Sequence, residues 1–459
     1  MKMNYAVKMF VGSLLTLALF AGCGTGGGGG AAEAGGGGGA AAGGDAAAAE
    51  GGGDVAGGLS GSISFSTWGS LEEMRVNEEI IAAFEALHPG VTVHLEFIPD
   101  LYVQTITTMF VGGNAPDVIY GHPHHFAQWA TRGLLMDLTD RFHENADFFF
   151  DEDRFIVSMY DSFKYDGRHI ATINGHCTFL LYYNKDLFDM VGLDYPNKDW
   201  TWDDFLYAAQ RTTTDDGTHR TWGLVMPGAP YFIYPYIYSF GGSLYDDPNA
   251  PTRVTVNNPN TIDALRFLQN LVHLYRVAPQ SFSAEEIGGG FDTGIVAMDI
   301  VGVWANVFRS GITDFRWGHT YLPTRPGYPR MTTAFFAGYA VNAATENPDL
   351  AWEFAKFFQS DEAQRILSGL GLITVINHNI ASSDEVLNAP GMPDNHIIRI
   401  TSMDHAIQGY PFLSNLNETH DVVLMPLYER LILLNTITPE EMAAEWQEGL
   451  ERMLAEALD

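Results

Sequence analysis

Between residues 62 and 121 the chain switches repeatedly between two hydrophobic periods, and this alternation restricts the fold more tightly than any other stretch. Ile63-Ser64-Phe65-Ser66-Thr67-Trp68 places apolar residues at every second position, as a half-buried strand does, and breaks at Gly69. Leu71 to Leu87 then carries apolar residues at helical spacing (Ile80, Ile81, Phe84, Leu87) until His88-Pro89-Gly90 stops it. Val91, Val93, Leu95 and Phe97 alternate as a second strand, and Tyr102 to Val111 reads as a second helix ending at Gly112-Gly113. Ala115-Pro116-Asp117-Val118-Ile119-Tyr120 is a short apolar run bounded by turn residues, the pattern of a buried parallel strand. Strand, helix, strand, helix, strand predicts an α/β sheet. Ligands of such sheets sit beyond the carboxyl ends of the strands. Two of those ends are Trp68-Gly69-Ser70 and Tyr120-Gly121-His122, each an aromatic beside a glycine and a polar group. That combination suits stacking on a flat ligand face and hydrogen bonding at its rim.

The residues ahead of this region cannot add to a core. Nineteen of the 49 glycines fall between residues 24 and 61, in a tract of Gly, Ala and a few acids, so the tract predicts a flexible tether with a span of about 35 Å. It follows no strand and holds no GK[ST], which removes a phosphate-binding loop. Before it, Lys2 and Lys8 precede an apolar run from Met9 to Phe20 and then Ala21-Gly22-Cys23. A run of about a dozen residues is short of the roughly 20 that cross a membrane, and reads as an export signal. The segment resembles a bacterial lipobox, with Phe20 where leucine is commonest. The expectation is a lipoprotein signal peptide over 1–23, lipid attachment at Cys23, a tether over 24–61, and a folded part in an extracytoplasmic compartment, lipid-anchored to the cell membrane. Cys177 is the other cysteine, and no CxxC spacing offers zinc or redox chemistry.

With 459 residues the chain exceeds what one core usually serves, so two lobes are expected. A hydrophobic fraction of 46% excludes a disordered chain. Lys and Arg number 24 against 56 Asp and Glu, a formal charge of −32, which excludes a nucleic-acid binder on bulk electrostatics. The same charge disfavours strongly anionic ligands unless Arg309 or Arg330 lines the cleft, and ion pairing is the plainer role for both. No GxSxG, HExxH, Walker A or EF-hand loop occurs. Asp203-Asp204 and Glu440-Glu441 are adjacent pairs that point to different helix faces rather than across a cleft. His122, His124 and His125 diverge along the chain with no carboxylate or cysteine to complete a set, so neither metal nor cofactor is expected.

Further segments carry a resemblance. Leu180-Leu181-Tyr182-Tyr183-Asn184-Lys185-Asp186-Leu187-Phe188, Trp200-Thr201-Trp202-Asp203-Asp204-Phe205, Gly294-Ile295-Val296-Ala297-Met298 and Ala351-Trp352-Glu353-Phe354-Ala355-Lys356-Phe357-Phe358 join Ala115-Pro116-Asp117-Val118-Ile119. In this order and spacing the chain from Ser62 to Asp459 resembles the family 1 extracellular solute-binding proteins of ABC transporters, the maltose-binding-protein-like sugar binders. The resemblance implies a two-lobed periplasmic-binding-protein fold of type II with three hinge crossings, near Asn174–Thr178, Ala337–Val341 and Leu372–Ile376. The lobes would be 62–174 with 341–374, and 178–336 with 376–459. It implies a monomer that captures a carbohydrate in the interlobe cleft and delivers it to the transmembrane subunits of an ABC permease, with no catalysis. By position in the family pattern, Trp304 would stack on the ligand, and Tyr231, with Tyr234 beside it, would form an aromatic contact segment. Gly338 would lie at a crossing next to the ligand, and Asn174 and His176 would donate hydrogen bonds where relatives carry other polar groups. Tyr410 and Glu418 lie in a loop that could reach the cleft. Trp68, Gly69, Ser70, Tyr120 and His122 complete the candidate set. Two rival readings are a surface-anchored polysaccharide-degrading enzyme and a binding protein for a non-sugar solute.

Overall fold

Parallel strands at the amino-terminal end set the frame: β1 (Ser60–Thr67), α1 (Leu71–Leu87), β2 (Gly90–Phe97), α2 (Tyr102–Gly112), β3 (Val118–Gly121) and α3 (Pro123–Ala130) follow in turn. The computed structural model describes residues 58–458 apart from 227, 285 and 370, so the export signal, Cys23 and most of the tether lie outside the described residues. β1 pairs with β2 from Ser60 opposite Gly90 to Thr67 opposite Phe97, and with β3 at Phe65 and Val118. The strand thus starts at Ser60, inside the expected tether, because Ser60 and Gly61 continue the ladder against Gly90 and Val91. α1 opens on a capping box in which the Ser70 hydroxyl accepts from the Glu73 amide and the Glu73 carboxylate accepts from the Ser70 amide at 2.6 Å.

Eight further strands extend this sheet: β4 (Thr172–Asn184), β5 (Arg220–Leu224), β6 (Val296–Gly302), β7 (Trp317–Thr320), β8 (Thr332–Val341), β9 (Thr374–Val375), β10 (Ala406–Gln408) and a two-residue edge strand, Thr214–Asp215, paired with β5. The main path runs β2-β1-β3-β8-β4-β6-β5. Thirteen residues at about 3.3 Å each make β4 roughly 43 Å long, enough to serve two lobes. Its first half pairs with β8, from Thr178 opposite Ala334 to Thr172 opposite Tyr339. From Phe179 onward its partners are β6 and β7. β8 makes the reverse journey, pairing at its start with β10 and at its end with β3. Successive side chains on β8 therefore enter different cores. Phe335 joins Trp202, Leu268, Tyr428 and Trp446 in the second lobe, and Phe336 joins Phe65, Phe84, Trp129 and Trp352 in the first.

The segment expected as the third crossing joins the hinge strands. Thr374 and Val375 pair with His176 and Gly175 of β4, but Ile376, Ile380 and Ala381 bury themselves in the first core. Asn377 holds them there by capping the short helix His378–Ala381 and donating to Asp361 at 3.0 Å. Glycine is required where the crossing strands meet. A Cβ on Gly338 would lie 1.9 Å from the Thr172 carbonyl oxygen, and one on Gly175 would lie 2.5 Å from that of Thr374. Gly338 is a buried contact between hinge strands.

Behind the hinge lies a positive charge that no carboxylate offsets among the described residues. Arg399 is 1% exposed; its Nε donates to the Thr374 hydroxyl at 3.2 Å, and its other nitrogens face His396 Nε2 at 2.9 Å and the Ile373 carbonyl. His176, expected to donate to ligand, is fully buried on this side, and neither of its ring nitrogens has a partner. His319 stacks on His396 at 5.6 Å, likewise with both ring nitrogens unpartnered. Burial, reinforced by the Arg399 charge, pushes His176 and His319 down to about 3 and His396 to about 2.

Two outcomes are expected. Gly338→Ala should lower the denaturant midpoint by the equivalent of at least ~2 kcal/mol, because backbone rather than a flexible side chain must give way; a midpoint equal to wild type would contradict the close crossing. The buried histidines have folded pKa values below their unfolded value near 6.5, so the unfolded chain binds more protons between these limits and stability falls as pH drops below about 6.5. Each histidine kept neutral should withdraw about 2 kcal/mol at pH 5. Thermal melts at pH 7 and 5 measure this, and His319→Gln should flatten the slope.

Candidate ligand-binding site

The carboxyl ends of β1 and β3 bring Trp68 and Tyr120 together. Trp68 is half-buried, its ring 4.4 Å from Tyr120, 4.6 Å from Tyr102 and 5.3 Å from His122. Gly69 follows at φ 134°, and a Cβ there would run 2.6 Å from the Glu73 carboxylate. Glycine at 69 is what lets Glu73 fold back over the end of β1. Ser70 is committed to the helix cap, through both its amide and its hydroxyl.

Asn174 reaches the same place through an irregularity in the hinge. Opposite the Ala337–Gly338 step, β4 carries an extra residue between Ile173 and Gly175, and such a bulge resets the alternation of side chains. Asn174 turns toward Tyr339, whose hydroxyl its Nδ2 meets at 3.4 Å, while its Oδ1 is buried without a partner. Beyond the bulge His176 faces Arg399 and Cys177 returns to the cleft side, where its thiol donates to the Leu372 carbonyl at 3.4 Å. The strand therefore separates Asn174 from His176, which strict alternation would have put on one face.

The second lobe supplies the opposite wall. Trp304 is half-buried and meets Phe179 edge-on at 5.2 Å; its ring occupies the space a Cβ on Gly302 would need. Tyr231 stacks on Phe232 at 4.7 Å and lies 5.7 Å from Tyr410. Tyr410 links the lobes, with ring distances of 4.3 Å to Phe335, 4.4 Å to His124 and 5.4 Å to His122. His122 Nδ1 meets the Phe336 carbonyl of β8 at 2.7 Å, a second link. Aromatic rings thus run without a break from Tyr102 through Trp68, His122, Tyr410 and Phe335 to Trp304.

Tyr234 and Glu418 do not join this row. Tyr234 is buried in the second core with its hydroxyl 2.8 Å from His420 Nε2. Glu418 is exposed on an open interlobe groove with Gln104, Thr107, Gln128, Arg132 and Asn415. Arg309 pairs with Asp292 and Asp299, a structural role, and Arg330 donates to the carbonyls of Leu322 and Lys198. Glu73, Asn77 and Tyr339 were not singled out in the sequence. The motif Ser70-Leu71-Glu72-Glu73, a capping box at a strand end, was the available signal for Glu73.

The seam is electrically quiet. Burial lowers His122 and His420 to about 4 and holds His124 and His125 well below their ordinary value, so all four are neutral at pH 7. Burial pushes the Cys177 thiol up to about 12, which keeps it protonated and poorly nucleophilic. No group of three or more His, Cys, Asp or Glu among the described residues could hold a metal ion. The arrangement offers stacking surfaces and hydrogen-bonding atoms.

Known proteins share this architecture. A maltotriose-binding protein of Pyrococcus abyssi is 24% identical over 353 residues, 74% of this chain and 70% of its own length. An ABC substrate-binding protein of Listeria monocytogenes, solved in complex with cycloalternan, superposes with a TM-score of 0.76 at 26% identity, covering 86% of this chain and 99% of that one. UgpB of Mycobacterium tuberculosis, solved in complex with glycerophosphocholine, gives 0.74 at 20% identity over 87% of this chain and all of its own. The family model of the bacterial extracellular solute-binding proteins matches residues 68–365, and the chain belongs to that family.

Proposed function

We propose that this protein is the substrate-binding component of an ABC importer, that it captures a neutral mono- or oligosaccharide between its lobes, and that it passes the solute unaltered to the transmembrane subunits. The observation that carries the reading is the unbroken aromatic row that crosses from one lobe to the other with amide, hydroxyl and carboxylate groups at its first-lobe end. A pyranose ring presents C–H faces flanked by hydroxyls, and aromatic platforms with polar rims match both. The printed ligands of the Pyrococcus and Listeria relatives are saccharides, which supports the same class here. Two lobes on shared strands can close over the solute, and closure gives the permease a shape to distinguish. In this reading the protein is a monomer outside the cytoplasm, anchored through lipid on Cys23, and residues 24–59 let the lobes reach the permease.

Calorimetry against a panel of neutral mono- and oligosaccharides tests the reading, with saturable one-to-one binding as the expected result. Trp304→Ala should weaken that binding by about 30- to 1,000-fold, equivalent to 2 to 4 kcal/mol, with circular dichroism verifying the fold. An unchanged affinity removes Trp304 from the site, and absence of binding across the panel overturns the assignment of a neutral saccharide. Chromatography of the incubated sugars decides the enzymatic rival, since cleavage products would reverse the transport reading.

A further inference from the structure

The first-lobe end of the aromatic row opens into a narrow pocket whose lining includes Trp68, Glu73, Asn77, Tyr120, Asn174 and Tyr339. No Lys, Arg or His lines it. Two of its acceptors lack a donor, beside the hydroxyls of Tyr120 and Tyr339. Glu73 spends Oε2 on the Ser70 amide, and Oε1 takes no hydrogen bond among the described residues. Asn174 is 3% exposed, and its Oδ1 has no partner at all. Asn77 donates an amide hydrogen to the Glu73 carbonyl at 2.8 Å, inward rather than to the pocket. The capping box holds the carboxylate here, and a Cβ at position 69 would displace it.

We infer that the pocket takes a protonated amino group, so that the preferred ligand is an amino sugar whose ammonium enters between Trp68 and Glu73; this rests on the saccharide-binding reading above and replaces its neutral ligand with a cationic one. An ammonium carries three donors and a positive charge. It would satisfy Asn174 Oδ1 and Glu73 Oε1 together, neutralise a carboxylate that no cation among the lining residues balances, and lie against the faces of Trp68 and Tyr120. A hydroxyl supplies one donor and no charge. A carboxylate or phosphate would meet two acceptors and a like charge in a pocket without cations. Burial raises the Glu73 pKa through desolvation, the response of a carboxylate that lacks a counter-charge and would gain from one.

The test is calorimetry on the full chain with three matched probes: the trisaccharide of glucosamine, its fully N-acetylated counterpart, and trigalacturonate. At about pH 6 the free amines are protonated. The expected result is at least tenfold tighter binding of the free-amine trisaccharide than of the acetylated one, with trigalacturonate weakest. Glu73→Gln keeps a side-chain acceptor for the helix cap and should bring the amine-to-acetyl ratio close to one. Raising the pH to about 9 should shrink the same ratio in the unmodified protein, a measurement independent of any substitution. If acetylated and free-amine sugars bind equally, or the preference survives Glu73→Gln, the ammonium assignment is overturned while the saccharide reading stands. If no saccharide binds in any form, both fall.

Discussion

The antiparallel pairing of β4 and β8 is the constraint on which the rest of the molecule depends. Each strand is longer than one lobe requires, and each changes partners midway, so one run of backbone hydrogen bonds belongs to both bodies. Neighbouring residues on β8, Phe335 and Phe336, anchor opposite cores. Two separately packed interiors joined by strands can rotate about the strands more cheaply than either interior can be repacked. The glycines at 175 and 338 are part of this pairing, because the crossing segments approach more closely than any side chain permits.

The same pairing builds the cleft. The irregularity opposite Ala337 and Gly338 delivers Asn174 to the cleft side and sends His176 to the rear, where it joins His319, His396 and the buried Arg399. Each of the three guanidinium nitrogens of Arg399 meets a neutral acceptor, so the positive charge is solvated by the protein rather than paired. The front of the hinge is acceptor-rich with a carboxylate, and the back carries a cation surrounded by neutral imidazoles. A single bulged strand separates these two environments.

Much of the architecture was legible along the chain. Alternation in Ile63–Trp68 and Val91–Phe97, helical spacing in Leu71–Leu87 and the stop at His88-Pro89-Gly90 correspond to β1, β2 and α1 within three residues at the boundaries. These signals are local, since burial on one face writes its period directly into the residues that provide it. The aromatic candidates at strand ends, Trp68 and Tyr120, lie together because adjacent parallel strands end side by side. Tyr410 was placed only as a loop residue with reach, and it proves to bridge the lobes. Tyr234, three residues from Tyr231, was grouped with it, but the helix Tyr234–Ser239 turns it inward to His420.

What the chain determined by itself was the class of fold, the twin cores and the placing of aromatic residues at the strand ends, because hydrophobic period and turn chemistry act between residues close in sequence. What the tertiary structure alone decided was which polar groups meet. Asn174 or His176 in the cleft, Glu73 over Gly69, Gly338 as spacer between hinge strands, and Tyr410 across the seam all depend on register and on contacts between residues tens to hundreds of positions apart. One extra residue in a strand reverses which face every later side chain occupies, and no local pattern records it.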